Sequence, residues 1–217
     1  MEPYIASIVP DEVRQASDFG IEHIITNPTV IAQSGTNWRS DLARSVDLLK
    51  GDVHLQTTPD DPDSILGQVT DFSAMCAGRL VVKLPFTRSA MRALPDLRKA
   101  RFPVNLTGVV NLAQGAAAVS TGADFVSVYV GRATASGNNG LELIRSLGDI
   151  VRRAGLTTRI IAASIHTPAD FADVALAGAD AAACPFDLLC EVIDDKVTDD
   201  SMRAFQEDWR RTTDDGA

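Results

Sequence analysis

Cysteine is scarce in this chain, with three residues in 217: Cys76, Cys184 and Cys190. Each lies in an apolar context without disulfide or metal-ligand spacing, so buried free thiols are expected, not a disulfide framework or a zinc site. The three histidines, His23, His54 and His166, are equally dispersed, and surface or capping roles are expected for them. No metal is expected. Basic stripes are missing too. The net charge of -9 argues against nucleic acid or an anionic membrane as the main partner, although a local pocket can still be cationic. No apolar run reaches transmembrane length, and MEPYIASIV lacks the basic flank of a signal peptide, so a cytoplasmic protein is expected. There is no P-loop, no nucleophile elbow and no Ser-His-Asp order. VPDEV, after the first apolar run, has no glycine, where an open dinucleotide-binding sheet would carry a glycine-rich turn.

What is present is alternation. Hydrophobic residues make up 45% of the chain, ample for one core, and no linker or composition break divides residues 1–217, which read as one domain. Strand-type runs are expected at Tyr4–Val9, Glu22–Pro28, Val53–Thr57, Leu80–Leu84, Phe102–Leu106, Phe125–Val130, Arg159–Ala163 and Ala181–Ala183, each followed by a helical stretch. Eight such alternations predict a single (β/α)₈ barrel; a doubly wound open sheet is the alternative. Pro95 is expected to kink its helix. Asp60, Asp61 and Asp63 suit a helix N-terminus, where the dipole favours carboxylates. One extra helix is expected at Asp199–Arg211, with Phe205 and Trp209 on one face.

Lysine is also rare, with only four residues, and one of them stands apart from the rest. In LVVKLPFT, Leu80–Thr87, an apolar strand delivers Lys83 just before Pro85. Burying an ammonium group is costly, and desolvation favours the neutral, nucleophilic amine. A stem snorkelling over apolar surface is the competing reading. In a barrel, reacting groups come from the C-terminal ends of strands. Those ends carry Asn27 (beside Thr26), Gln56, Lys83, Thr107, Tyr129, Arg132 and Ser164. Gln56 and Thr107 can hold a water or a substrate hydroxyl, Tyr129 is a phenol, and Arg132 with Ser164 could bind a phosphate.

At these residues the sequence resembles the transaldolase-like family, and within it the fructose-6-phosphate aldolase type. ITNPTVIA (Ile25–Ala32) is similar to the family's TTNPSII segment, and VVKLPFT to its VVKVPVT segment. AQG (Ala113–Gly115), YVGR (Tyr129–Arg132), AASIHTP (Ala162–Pro168) and FQEDW (Phe205–Trp209) are similar to AAQG, YVNR, AASFKTP and FEQDW. The likeness runs in the same order from about Tyr4 to Trp209.

The resemblance implies a class I aldolase without a cofactor, acting on a small sugar or sugar phosphate. Lys83 would form a Schiff base with a ketone donor, and Tyr129 would act as acid and base. Gln56 and Thr107 would hold a water, Arg132 and Ser164 an acceptor phosphate, and Asn27 the donor hydroxyls. Gln56 and Tyr129 resemble the aldolase branch; transaldolases tend to have Glu and Phe there. A transaldolase, or a catalytically silent sugar-phosphate-binding barrel, are the alternatives. Ala6 stands where the family has an aspartate in a segment like YLDTSD, so a less hydroxylated donor is expected to be tolerated. His166 stands where the family has lysine. The resemblance also implies a ring assembly, pentamers stacked into a decamer, bridged by the last helix.

Overall fold

Period-two apolar runs pair into a closed sheet, and the amphipathic stretches between them cover it. The structure is a computed structural model that describes residues 1–214. The strands are β1 (Glu2–Ile5), β2 (Ile24–Ile25), β3 (Val53–Gln56), β4 (Leu80–Pro85), β5 (Val104–Val109), β6 (Phe125–Tyr129), β7 (Arg159–Ala163) and β8 (Ala181–Cys184). Every neighbouring pair is parallel and β8 returns to β1, closing the barrel in sequence order. This is the expected (β/α)₈ barrel.

The helices are α1 (Pro10–Asp18), α2 (Pro28–Gln33), α3 (Trp38–Leu48), α4 (Pro62–Met75), α5 (Leu94–Lys99), α6 (Leu112–Ser120), α7 (Val130–Ala135), α8 (Gly140–Ala154), α9 (Pro168–Leu176), α10 (Phe186–Ile193) and α11 (Lys196–Asp214). Their starts are written in the sequence. Asp61, Asn111, Asn139 and Thr167 each accept a backbone N–H of the following first turn, satisfying a donor that the helix leaves orphaned. Proline opens α1, α2, α4 and α9, where its missing N–H costs nothing.

Several expectations are corrected. β1 stops at Ile5, because Ser7 Oγ accepts the Val9 N–H at 3.0 Å and turns the chain into α1. The second strand shrinks to two residues, and Asn27-Pro28 starts α2. β5 runs past Leu106 to Val109 through a bulge at Gly108, whose φ of +85° is a glycine conformation. Pro95 kinks nothing: a 3₁₀ turn, Ala90–Ala93, precedes α5, and Pro95 sits in its first turn. α11 begins at Lys196 because Asp195 Oδ1 accepts the N–H groups of Val197 and Thr198. Of the thiols, Cys76 and Cys184 are buried but Cys190 is half-exposed. His54, expected at the surface, is wholly buried inside the barrel.

The core has two parts. A large one lies between sheet and helices, and a small one fills the barrel with Tyr4, Ile25, Val81, Phe125, Ile161 and Ala181. α6 lies close on α8 because Gly115 lacks a side chain; a Cβ there would come within 2.7 Å of the Leu147 methyls, and Leu147 is fully buried. Ala favours a helix over Gly by about 1 kcal/mol, but overpacking a tight core costs about 1–3 kcal/mol. Gly115→Ala should therefore lower stability by roughly 1 kcal/mol in urea unfolding; an unchanged or higher midpoint would show that the α6–α8 seam yields.

Candidate active site

Lys83 lies in β4, 2% exposed, one pleat short of Pro85. Its Nζ donates to the Thr26 carbonyl oxygen at 2.9 Å. That carbonyl is available because Thr26 N and Oγ1 both donate to the His54 carbonyl oxygen, at 2.8 and 3.1 Å, pinning the end of β2 against β3. Thr26 thus meets the lysine through its backbone. Burial brings the Lys83 pKa down from 10.5 to about 7, and the charge of Arg132 adds to the effect. No acid balances it: among the described residues lining the cavity above Lys83 there is no carboxylate.

That cavity measures about 550 Å³ and opens at the C-terminal ends of the strands. Seven of the nine expected site residues line it: Ala6, Thr26, Asn27, Lys83, Tyr129, Arg132 and Ser164. Asn27 Oδ1 caps α2 by accepting the Val30 N–H at 3.0 Å, while its Nδ2 makes no hydrogen bond among the described residues. The cap and a ligand contact are therefore compatible, since an amide has both an acceptor and donors. His166 joins the lining next to Ser164, and Ala163 and Ala183 add methyl groups on the side of Ala6.

Gln56 and Thr107 are placed differently. Gln56 is level with Lys83 in the sheet register but borders a second cavity of about 310 Å³, with Trp38, Gln68 and Phe72. α2 divides the two spaces, giving Thr29, Val30 and Gln33 to the first and Pro28, Ile31 and Ala32 to the second. Thr107 lies inside β5 and not at its end. Gln56 Oε1 and Thr107 Oγ1 are both buried without a hydrogen-bond partner among the described residues, a costly state that functional groups tolerate.

Arg132 rides on α7, and its guanidinium stands 4.8 Å over the Tyr129 ring. The start of α7 is tied to the end of β7, where Gly131 N donates to the Ser164 carbonyl oxygen at 3.0 Å. Ser164 has the left-handed φ of +58°, which directs that carbonyl sideways. A Cβ on Gly131 would stand 2.6 Å from the same oxygen. Only glycine permits the approach that sets Arg132 beside Ser164. α7, with the Arg132 it carries, was not visible as a helix in the sequence. Among the described residues no three His, Cys, Asp or Glu side chains gather as a metal site.

The Lys83 environment has a sign that can be measured. In the unfolded chain the lysine keeps its proton up to 10.5, whereas in the fold it releases it near 7. Across that window the unfolded state binds the extra proton, so the contribution of Lys83 to stability rises with pH between about 7 and 10.5; above 9 the buried Cys76 and Cys184 thiols, pushed up to about 12, act in the opposite direction, and the slope is read between 7 and 9. Lys83→Met should raise stability at neutral pH, by on the order of a few kcal/mol, and flatten that slope. Labelling of Lys83 by an acylating reagent, read by peptide mass, should show a midpoint near 7, and Arg132→Gln should move it upward. A midpoint in the ordinary lysine range would contradict this account.

Comparison with known proteins gives a consistent result. The family model for transaldolase/fructose-6-phosphate aldolase matches residues 7–216. A probable transaldolase of Desulfitobacterium hafniense is 32% identical over 212 residues, 97% of this chain and 99% of that protein. A probable transaldolase of Roseiflexus sp. is also 32% identical over 212 residues, 97% of each chain. Among solved structures, a mandelate oxidase mutant with a monooxide FMN adduct covers 86% of this chain and 63% of its own, with a TM-score of 0.55; at 17% identity it shares the fold alone. With a family model matching nearly its whole length, the chain belongs to the transaldolase/fructose-6-phosphate aldolase family.

Proposed function

We propose that the protein works as a class I aldolase, with Lys83 as the nucleophile toward a small hydroxyketone donor. Membership of the family makes it an aldolase/transaldolase-like enzyme. The observation that carries the assignment of Lys83 is its burial at the foot of the cavity with a pKa brought down to about 7. A neutral amine attacks the donor carbonyl carbon, and the carbonyl oxygen leaves as water, giving an iminium ion. Loss of the neighbouring C–H proton sends its electron pair toward nitrogen and forms an enamine. The enamine carbon attacks an aldehyde, making the new carbon–carbon bond. Water then adds to the iminium carbon and releases product and lysine. The iminium is itself the electron sink, so this chemistry calls for no cofactor.

Tyr129 is the group assigned to move protons, worth about 10²–10⁴ in rate for such a role. Gln56 and Thr107 carry the unpartnered oxygens expected of residues that hold a water or a hydroxyl. Arg132 and Ser164 are assigned to an acceptor phosphate, and the cationic, carboxylate-free lining supports that. Asn27 and Thr26 are assigned to the donor. The methyls of Ala6, Ala163 and Ala183 leave a donor hydroxyl on that side without a partner, which favours a monohydroxyketone over dihydroxyacetone.

Borohydride trapping with hydroxyacetone and dihydroxyacetone, read by intact-protein mass, tests this. Wild type should gain the donor mass with both ketones, hydroxyacetone at least as readily. Lys83→Met should gain neither, and Ala6→Asp should shift the preference to dihydroxyacetone. Trapping that survives in Lys83→Met would remove the lysine from the mechanism. A wild type that traps neither would return the protein to the silent sugar-phosphate-binding reading. The second reading, a transaldolase, is favoured by the names of the curated relatives. It uses the same lysine but passes the donor fragment to an aldose phosphate, so release of free dihydroxyacetone from fructose 6-phosphate separates the two.

α11 supports a homo-oligomer. Val197, Met202, Phe205 and Trp209 are 74%, 46%, 61% and 70% exposed, an apolar series that a neighbouring copy would cover. Its alternative is a fold-back onto its own barrel. Truncation after Asp195 should reduce the assembly measured by light scattering; an unchanged size would rule the bridge out. The three free cysteines suit a reducing, cytoplasmic location.

A further inference from the structure

A polar cluster closes the floor of the barrel, at the N-terminal ends of the strands and so at the far end from the lysine cavity. Tyr4 fills the interior there, 0% exposed, and the His23 ring stacks on it, with centroids 4.3 Å apart and planes 11° apart. Arg159, at the start of β7, donates to Glu2 Oε2 at 2.7 Å and to the Tyr4 hydroxyl at 3.3 Å. Its guanidinium also lies 5.6 Å from the centre of the Phe125 ring. His23 stands just before β2, and Asp52 just before β3. His23 Nδ1 accepts the Asp52 N–H at 2.9 Å. A Cβ on Gly51 would come within 2.6 Å of that nitrogen, so glycine is what lets the turn approach the ring.

This hydrogen bond and a charge on the ring exclude each other. A backbone N–H only donates, so Nδ1 is unprotonated and the neutral ring carries its proton on Nε2. A charged imidazole donates from both nitrogens and has no acceptor left for Asp52. Two carboxylates stand ready to receive those donors: Glu2 Oε2 is 3.9 Å from Nε2, and Asp52 Oδ2 is 3.8 Å from Nδ1. The ring therefore has two arrangements, one fastening the backbone and one paired with acids.

The other groups facing the ring are distinct from this switch. The Arg159 hydrogen bond holds the Glu2 carboxyl below its ordinary value. Burial pushes the Tyr4 phenol up to about 12. Burial, reinforced by the charge of Lys83, holds His54 neutral, well below the ordinary histidine range. Asp180 faces Arg159 and the Met1 amino group faces Glu2, while Glu22 and Lys50 flank the cluster, both exposed. Arg79 holds the turn from behind, donating to the Leu49 and Gly51 carbonyl oxygens at 2.7 and 3.0 Å.

We propose that His23 is a proton-operated latch that fastens β2 to β3 while neutral and releases the Asp52 N–H when charged. β2 is the shortest strand, two residues long, so it has few bonds to spare. At the latch it is held by Ile5 N on the His23 carbonyl oxygen at 2.9 Å and by Ile24 N on the Asp52 carbonyl oxygen at 3.0 Å. Asp52 is thus bonded through both its N–H and its carbonyl to residues 23 and 24, and acid removes the first of these. The next residue after β2 is Thr26, so the latch controls the strand that leads to it. The device does not depend on which reaction Lys83 performs.

Amide hydrogen exchange on the intact protein, read by peptide mass and corrected for the intrinsic pH dependence of exchange, tests the latch at about pH 8 and about pH 5, which bracket imidazole titration. In wild type, exchange in the peptide spanning residues 48–56 should quicken by about 2- to 10-fold at the lower pH, the value of one hydrogen bond, while the peptide covering β5 stays unchanged. His23→Asn offers an acceptor that does not titrate, so its exchange should not depend on pH. His23→Phe keeps the stacking on Tyr4 but has no acceptor, so it should exchange at the faster rate at both pH values. A wild type without the pH effect overturns the proposal. So does an equal effect in His23→Asn, which would assign it to another group, or one shared by β5, which would mark general loosening. Should His23→Phe fail to fold, wild type against His23→Asn decides.

Discussion

An amine buried at the foot of a cavity is the constraint on which this site depends. Lys83 is enclosed by β4 and its neighbours, with the Thr26 carbonyl as its hydrogen-bond partner and no acid in the cavity lining. In that setting the charged form loses hydration that one carbonyl replaces only in part, so the proton leaves near neutrality. The short second strand, the Thr26–His54 bonds and α2 all keep the Thr26 carbonyl in place. The barrel supplies the rest: parallel strands point their C-terminal ends the same way, so residues of β2, β6, β7 and β8 and of the segment after β1 border one cavity with the lysine of β4.

The glycines show how the fold imposes this arrangement. Gly131 and Ser164 form a contact that admits no side chain, and through it one helix turn carries Arg132 to the mouth of the barrel. Gly108 lets β5 continue through a bulge just past Thr107, which places that hydroxyl within the strand. Gly115 acts elsewhere, in the packing of α6 on α8. Two of these three glycines lie next to residues assigned to the reaction.

Much of this was legible in the residues. The barrel could be read because eight apolar runs alternate with amphipathic ones, and Lys83 could be read because an ammonium group has no structural use in LVVKLPFT. α2 and α7 escaped because six residues are too few to display a helical period, although Asn27-Pro28 is a helix start. His54, Asn105 and Ser127, each wholly buried, escaped for another reason. In VHLQ, VNLTGV and VSVY a polar residue at every second place reads as the solvent face of a half-buried strand. A closed parallel barrel has no such face, so the same alternation marks the interior. The phase was the available signal, because each hidden residue lies two positions before one already singled out at a strand end.

Arg132 has one more consequence. Its charge opposes a proton on the lysine, and the field that does so does not distinguish an ammonium from an iminium. On the Schiff-base reading, condensation would turn a neutral amine into a cation facing a second cation, with no carboxylate in the cavity lining to share the charge. The adduct is then electrostatically uphill, and each of its exits, to enamine by losing a carbon-bound proton or back to free amine by adding water and releasing a proton, discharges it. A site built this way does not store its intermediate; it makes the cation short-lived.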